Sequence, residues 1–154
     1  MTGNTNAIPI LNHLLNLERL SLANYLQYAQ PWVHPADQPL HEAVERIARE
    51  ELECGRRIAA LITRRKGPVA LGQSFPNRYT AYSDLNLRYL LDRLVEDQER
   101  IIQEVETTCM ELRGDAEAAS LAAEVLRREQ GHLKMLLSFR DAAAAQGASL
   151  ARAA

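Results

Sequence analysis

The sequence predicts an all-α fold, a four-helix bundle with one long crossover, and three observations predict it. Leucines, isoleucines and valines recur at three- and four-residue intervals through four long stretches, the period of helices that bury one face. Each stretch ends at proline or glycine, residues that stop helices. Nowhere does the chain show the strict alternation of a half-buried strand or a repeat of solenoid length.

The first helix is read over roughly residues 5–30. Leu11, Leu14, Leu15, Leu22 and Leu26 mark its buried face and Pro31 ends it. The second is expected over 38–66, with Asp37 as N-cap and Pro39 in its first turn, where a missing N–H costs nothing. Its face is Val44, Ile47, Ile58, Leu61 and Ile62, and it stops at Gly67-Pro68 after the basic turn Arg64, Arg65, Lys66. Those cations complement the carbonyl end of the helix dipole and need no partner molecule to explain them. Residues 67–82, with Gly67, Pro68, Gly72, Pro76 and Asn77, form the long connection. Ser83 or Asp84 is expected to cap the third helix, 84–113, which closes at Gly114. Asp115 caps the fourth, 116–146, which closes near Gly147, with frayed tails at 1–6 and 148–154. Helices of this length reach roughly 40 Å at 1.5 Å per residue. Short first and third connections then give two antiparallel hairpins, and a crossover spanning the bundle makes the second and third helices parallel.

Composition bounds the rest. A single domain over residues 1–154, with 47% hydrophobic and 25% charged residues, suits a soluble protein with a core of its own. Net charge of −2 supplies no field for nucleic acid. No apolar run approaches the roughly 20 residues that span a bilayer, and residues 1–7 lack the cationic start of a signal peptide. Cys54 and Cys109 form no disulfide framework, so a reducing cytoplasm is the expected location. They are also expected not to pair, because their positions along the bundle differ by roughly 16 Å at 1.5 Å per residue.

The chemistry lies in the polar residues on the apolar seams. The first seam runs Leu11, Leu14, Glu18, Leu22, Tyr25. The second runs Val44, Ile47, Glu51, Cys54, Ile58, Leu61, and the fourth Ala122, Val125, Glu129, His132, Leu136, Phe139. The third, Leu87, Leu91, Leu94, Gln98, Ile101, Val105, Cys109, Leu112, carries an amide where the others carry a carboxylate. Glu96 falls about 200° around that helix, among Asp92, Arg93 and Arg100, and is placed outside. Glu50 and Glu53 flank the second seam and are read as solvated. A single seam glutamate is ordinarily hydrogen-bonded or paired, a lone seam histidine is ordinarily a core residue, and Cys54 alone is a small buried hydrophobe. Three seam carboxylates with no seam lysine or arginine need another neutraliser, a metal ion or a shared proton network.

These motifs resemble the ferritin-like superfamily, and bacterioferritins most, over residues 8–140. Leu17-Glu18-Arg19-Leu20 with Asn24-Tyr25 is similar to that family's first ligand and its neighbouring tyrosine. Glu129-Gln130-Gly131-His132 is similar to its second Glu-x-x-His motif, and Glu51-Leu52-Glu53-Cys54 occupies the first. The resemblance implies that Glu18, Glu51, Glu129 and His132 hold iron, with Glu51 and Glu129 bridging two ions and Tyr25 behind them. Three positions depart from the pattern. Cys54 replaces a histidine, Gln98 replaces a carboxylate, and Leu52 stands where a haem-ligating methionine is found, so no haem is expected. With one imidazole and one carboxylate lost, the set suits one iron, or two held loosely, with Cys54 and Gln98 as supplementary donors and zinc or manganese as alternative metals. Ferroxidase turnover is then expected to be weak or absent. A homodimer is expected from the stripe Leu20, Leu26, Trp32, and the short tail after Gly147 argues against a storage cage.

The competing reading is a metal-free helical bundle that acts as a dimerisation or interaction module, its polar core joined by hydrogen bonds. A di-iron oxygenase ranks below both, because the chain has no Cys-x-x-Cys pair for a rubredoxin-like relay. A DNA-protecting mini-ferritin is disfavoured too, since this chain's ligands sit within one bundle and no basic tail is present.

Overall fold

The computed structural model describes residues 7–153, and the expected fray at 1–6 lies outside them. Five helices make the bundle: α1 (Ala7–Arg19), α2 (Leu22–Ala29), α3 (Gln38–Arg64), α4 (Leu87–Glu111) and α5 (Ala116–Ala153). The α1–α2 pair packs along α3, α4 packs along α5, and the two hairpins meet through α1 against α4 and α3 against α5. The all-α bundle with one long crossover is therefore present, with α2 continuing α1 as the first arm.

That first arm is not one helix. The chain breaks at Leu20 and Ser21, and Ser21, extended at φ −70° and ψ 160°, starts α2 by accepting the Asn24 N–H. Nothing in the apolar spacing marks the break, because both halves bury the same face. α2 ends at Gln30, which is left-handed at φ 43° and donates its N–H to Leu26.

Other boundaries differ from expectation for identifiable reasons. Asp37 precedes α3, yet its carboxylate does not cap; it accepts from Arg88 Nη2 at 2.5 Å. The third arm begins at Leu87, not Asp84. Asn86 caps it by accepting the Arg88 N–H at 2.9 Å, and the Trp32 carbonyl takes the Leu87 N–H. Asp115 does cap α5, accepting the Ala118 N–H at 3.2 Å. α5 runs past Gly147 to Ala153; in an alanine-rich helix one glycine costs only about 1 kcal/mol. At the end of α3 the left-handed residue is Lys66, at φ 61°. Gly67 is needed for close approach instead, since a Cβ there would sit 2.7 Å from Ile8 Cδ1.

The crossover is tied down. Asn12 Nδ2 donates to the Pro68 carbonyl and Asn12 Oδ1 accepts the Ala70 N–H, while Asn16 Nδ2 reaches the Ala70 carbonyl. Further on, a 3-10 stretch (Asn77–Tyr82) inserts Tyr79 into the core, 1% exposed.

The core is two clusters. One, from Leu11, Leu14 and Leu15 through Ile58, Ile62, Ile101, Val105 and Val125, is aliphatic throughout. The other, around Leu22, Leu26, Leu40, Ile47, Leu90 and Leu136, admits Tyr79 and packs Tyr25, Phe75, Tyr82 and Phe139 at its edge. Leu26 belongs to this second cluster at 3% exposure, so the stripe expected to serve a dimer is reduced to half-buried Leu20 and exposed Trp32. In sequence on every arm, the two clusters part at the polar residues: Glu18, Glu51, Gln98, Glu129 and His132.

Candidate metal centre

Glu18, the last but one residue of α1, is fully buried, as are Glu51 on α3 and Glu129 on α5; His132 is 2% and Gln98 3% exposed. Glu51, Glu129 and His132 each offer a donor atom within 4.8 Å of the other two. Glu18 is near enough to this trio for the Glu129 and Glu51 charges to act on its carboxyl.

Each member of the trio is held by one atom and open at the other. Glu51 Oε2 accepts from Ser21 Oγ at 2.5 Å and from Asn24 Nδ2 at 2.7 Å. Glu129 Oε2 accepts from Gln98 Nε2, which also donates to the Glu129 carbonyl at 3.1 Å. His132 Nε2 lies 2.7 Å from Glu50 Oε2. The other atoms, Glu51 Oε1, Glu129 Oε1 and His132 Nδ1, have no hydrogen-bond partner among the described residues, and neither has either oxygen of Glu18. Buried polar atoms are almost always paired, and an unpaired one costs about 1–3 kcal/mol. Five such atoms in one layer call for a neutraliser, either a bound cation or protons shared between the carboxyls.

The electrostatics agree. Burial first, then the neighbouring Glu129 and Glu51 charges, hold the Glu18 carboxyl well above the usual carboxylate range. Burial and Glu129 raise Glu51 in the same direction, against the pull of the Ser21 and Asn24 hydrogen bonds. Burial works against charging His132, but Glu129 and Glu50 outweigh it and raise its pKa. Glu50 shows the reverse balance: desolvation is overcome by His132 and Arg46, and its pKa falls. Without a cation, the Glu18 and Glu51 carboxyls are biased towards their protonated form. A divalent ion would replace those protons as the neutraliser. The donor set, carboxylate oxygens plus one imidazole nitrogen, fits iron, manganese or zinc and not calcium, which takes six to eight oxygens.

The remaining expected site residues are distributed as follows. Gln98 faces the layer and Glu96 does not; Glu96 is exposed and pairs with Arg93 at 2.9 Å. Cys54 is buried in the aliphatic cluster. Desolvation, with Glu129 nearby, pushes its thiol up to about 11, away from the thiolate that binds metal. It stands outside the close trio, and among the described residues both cysteines are free thiols. Cys109 is only half-buried, and Thr108 takes the inward place beside it. Tyr25 turns its hydroxyl to Ser83 Oγ at 2.9 Å and its ring to Phe75 and Tyr79, so it serves the crossover. Leu52 is 40% exposed.

Glu50 corrects the sequence reading, in which it was a solvated flank. His132 on α5 reaches Glu50 on α3, 2.7 Å between Nε2 and Oε2, a contact between helices that no single-helix seam describes. The contacts of Ser21 and Asn24 with Glu51 were not anticipated either, although Ser21, three residues before Asn24, is a capping-type residue within an apolar run. Asp97 was missed as well; it is 8% exposed and accepts from the Leu22 N–H at 2.9 Å, Tyr79 Oη at 2.6 Å and Arg100 Nη2 at 3.0 Å.

The sequence matches the ferritin-like domain family over residues 8–143. The chain belongs to that family. The matched span begins in the first turn of α1 and ends within α5, so it takes in every residue of the polar layer. No individual curated protein matches the chain. Within this ferritin-like domain, the carboxylate and histidine cluster occupies the middle of the bundle, and no helix among the described residues is long and apolar enough to cross a membrane.

Proposed function

We propose that this ferritin-like domain binds iron at a reduced, bacterioferritin-type site, with iron sequestration or slow iron oxidation as its role. Glu51, Glu129 and His132 would hold one ion, with Glu18 completing the set. The observation that carries this reading is the group of inward donor atoms without a hydrogen-bond partner among the described residues: both Glu18 oxygens, Glu51 Oε1, Glu129 Oε1 and His132 Nδ1, the last 3.6 Å from Glu129 Oε2. The Nε2 contact to Glu50 supports it, because a carboxylate behind an imidazole orients the other nitrogen towards a metal and raises its basicity. Gln98 favours one ion over two: its amide nitrogen donates to Glu129 where a second ion would want another anionic oxygen.

A bound iron supplies a one-electron redox couple and a Lewis acid inside the bundle. The chain's part is to gather the donors, fix their outer atoms and surround them with two apolar clusters that exclude water. Cytoplasmic location and homodimer formation remain part of this proposal.

The test is metal content by elemental mass spectrometry after expression in medium supplemented with iron, zinc and manganese, with Glu129→Ala as control. About one equivalent of metal, lost in the variant, is the expected result. Less than a tenth of an equivalent, with a melting temperature indifferent to chelator, would overturn it. That outcome favours the metal-free interaction module, to which the raised Glu18 and Glu51 pKa values lend support as a proton-sharing network.

A further inference from the structure

We infer that the break between α1 and α2 is a device that fixes the Glu51 ligand, with Ser21 and Asn24 as its positioning residues. The inference rests on the metal-binding reading and adds to it how one ligand is restricted to a single oxygen.

A helix continuing through residues 20 and 21 would carry the same apolar face, so the break needs another explanation. Its polar groups supply one. The Ser21 hydroxyl has one proton, and it is directed at Glu51 Oε2, 2.5 Å away. Ser21 Oγ also caps α2 by accepting the Asn24 N–H at 3.1 Å. Asn24 Nδ2 has two protons, one for Glu51 Oε2 at 2.7 Å and one for the Glu18 carbonyl at 2.9 Å, the end of α1. All these groups are buried: Ser21 is 1% and Asn24 3% exposed. One carboxylate oxygen on α3 thus receives two donors from the break, and the other, Oε1, receives none among the described residues.

The break is itself held from a third side. Asp97 on α4 accepts the Leu22 N–H at 2.9 Å, next to Ser21, and is in turn fixed by Tyr79 and Arg100. The position of Ser21 relative to α3 is therefore set by α4 and the crossover, beyond the local turn.

The chemical consequence is monodentate presentation. With Oε2 committed, Glu51 offers Oε1 alone, and Glu129, whose Oε2 is taken by Gln98, does likewise. Two one-oxygen carboxylates and an imidazole, with Glu18 as the one carboxylate open at both oxygens, favour the low coordination numbers of zinc or ferrous iron over cations that draw on six to eight oxygens. Outer partners of this kind are typically worth 10- to 100-fold in metal affinity.

The experiment separates positioning from capping. Glycine is nearly as good an N-cap as serine, within a few tenths of a kcal/mol, but has no hydroxyl for Glu51. Affinity for Co(II), used as a spectroscopic probe, and apo melting temperature are measured for the wild-type chain, Ser21→Gly and Asn24→Leu. The expected result is an affinity 10- to 100-fold weaker in both variants, with a changed Co(II) visible spectrum as Glu51 gains freedom to chelate, and melting within a few degrees of wild type. Wild-type affinity and spectrum in Ser21→Gly would overturn the inference and leave the metal site standing. No Co(II) binding by the wild-type chain would overturn the metal-binding reading and this inference with it. If Ser21→Gly melts much lower, Asn24→Leu, which keeps the Ser21 cap, decides by the same two readouts.

Discussion

Two groups of buried carboxylates lie side by side in this bundle and are treated in opposite ways. Asp97 is surrounded by donors: a backbone N–H, a tyrosine hydroxyl and the Arg100 guanidinium, with Arg78 at 3.9 Å. Glu18, Glu51 and Glu129 have no arginine or lysine partner among the described residues and leave four oxygens unpaired. Both groups cost desolvation on folding. At Asp97 the protein itself supplies the compensation, which marks a structural carboxylate joining α2, α4 and the crossover. At the glutamates that compensation is missing among the described residues, which is what the proposed metal ion would supply. Three consecutive residues of α4 show how locally this is decided: Glu96 is an exposed ion-pair member, Asp97 a structural anchor and Gln98 the amide that holds Glu129.

Stability measurements on the apo protein can break this comparison. The largest effect is expected from Asp97→Ala, which strands Tyr79 Oη and the Leu22 N–H and leaves Arg100 with Glu104 as its remaining partner. Unfolding free energy from urea titration should fall by about 3 kcal/mol, the upper end of the range for leaving buried donors without their acceptor. A loss below about 1 kcal/mol would remove the distinction drawn for Asp97.

Glu18→Leu should act in the opposite direction. It replaces an unpaired buried carboxyl by an apolar side chain of similar size, between two apolar clusters. The apo protein should gain about 2 kcal/mol in the same titration, while metal affinity falls. Destabilisation of the apo form would mean that Glu18 is already satisfied without a metal.

The smallest effect sharpens the comparison with a carboxylate nearer the surface. Arg65 holds Asp115 below its usual carboxylate range, aided by the Ala118 N–H and opposed by partial burial. Because the folded pKa is depressed, this stabilisation is complete above the unfolded value of about 3.9. It is lost as pH falls through the lower folded value. Asp115→Asn should cost about 1 kcal/mol at neutral pH and flatten the acid-side slope of stability between those two values. An unchanged slope would show that the Arg65 pair contributes nothing.

The amino-acid sequence by itself determined the helices, their inward faces and the depth of the polar layer. It did so because apolar period and seam position are properties of one helix at a time: Glu18, Glu51, Gln98, Glu129 and His132 all lie buried where their seams put them. It also placed Glu96 outside, by the same reasoning. What depends on two or more helices was decided only by the tertiary structure. Glu50 on α3 joins His132 on α5, Asp37 turns from capping to Arg88, and Tyr25 leaves the layer for Ser83. The division of α1 from α2 belongs here too. Its apolar pattern is continuous, and the reason for the break is polar: Ser21 and Asn24 meet Glu51 while Asp97 takes the Leu22 N–H. Periodicity records which face turns inward, because burial of apolar area scales with the face. It carries no record of which polar atoms meet across helices, because a hydrogen bond is fixed by distances of tenths of an ångström that only the assembled bundle sets.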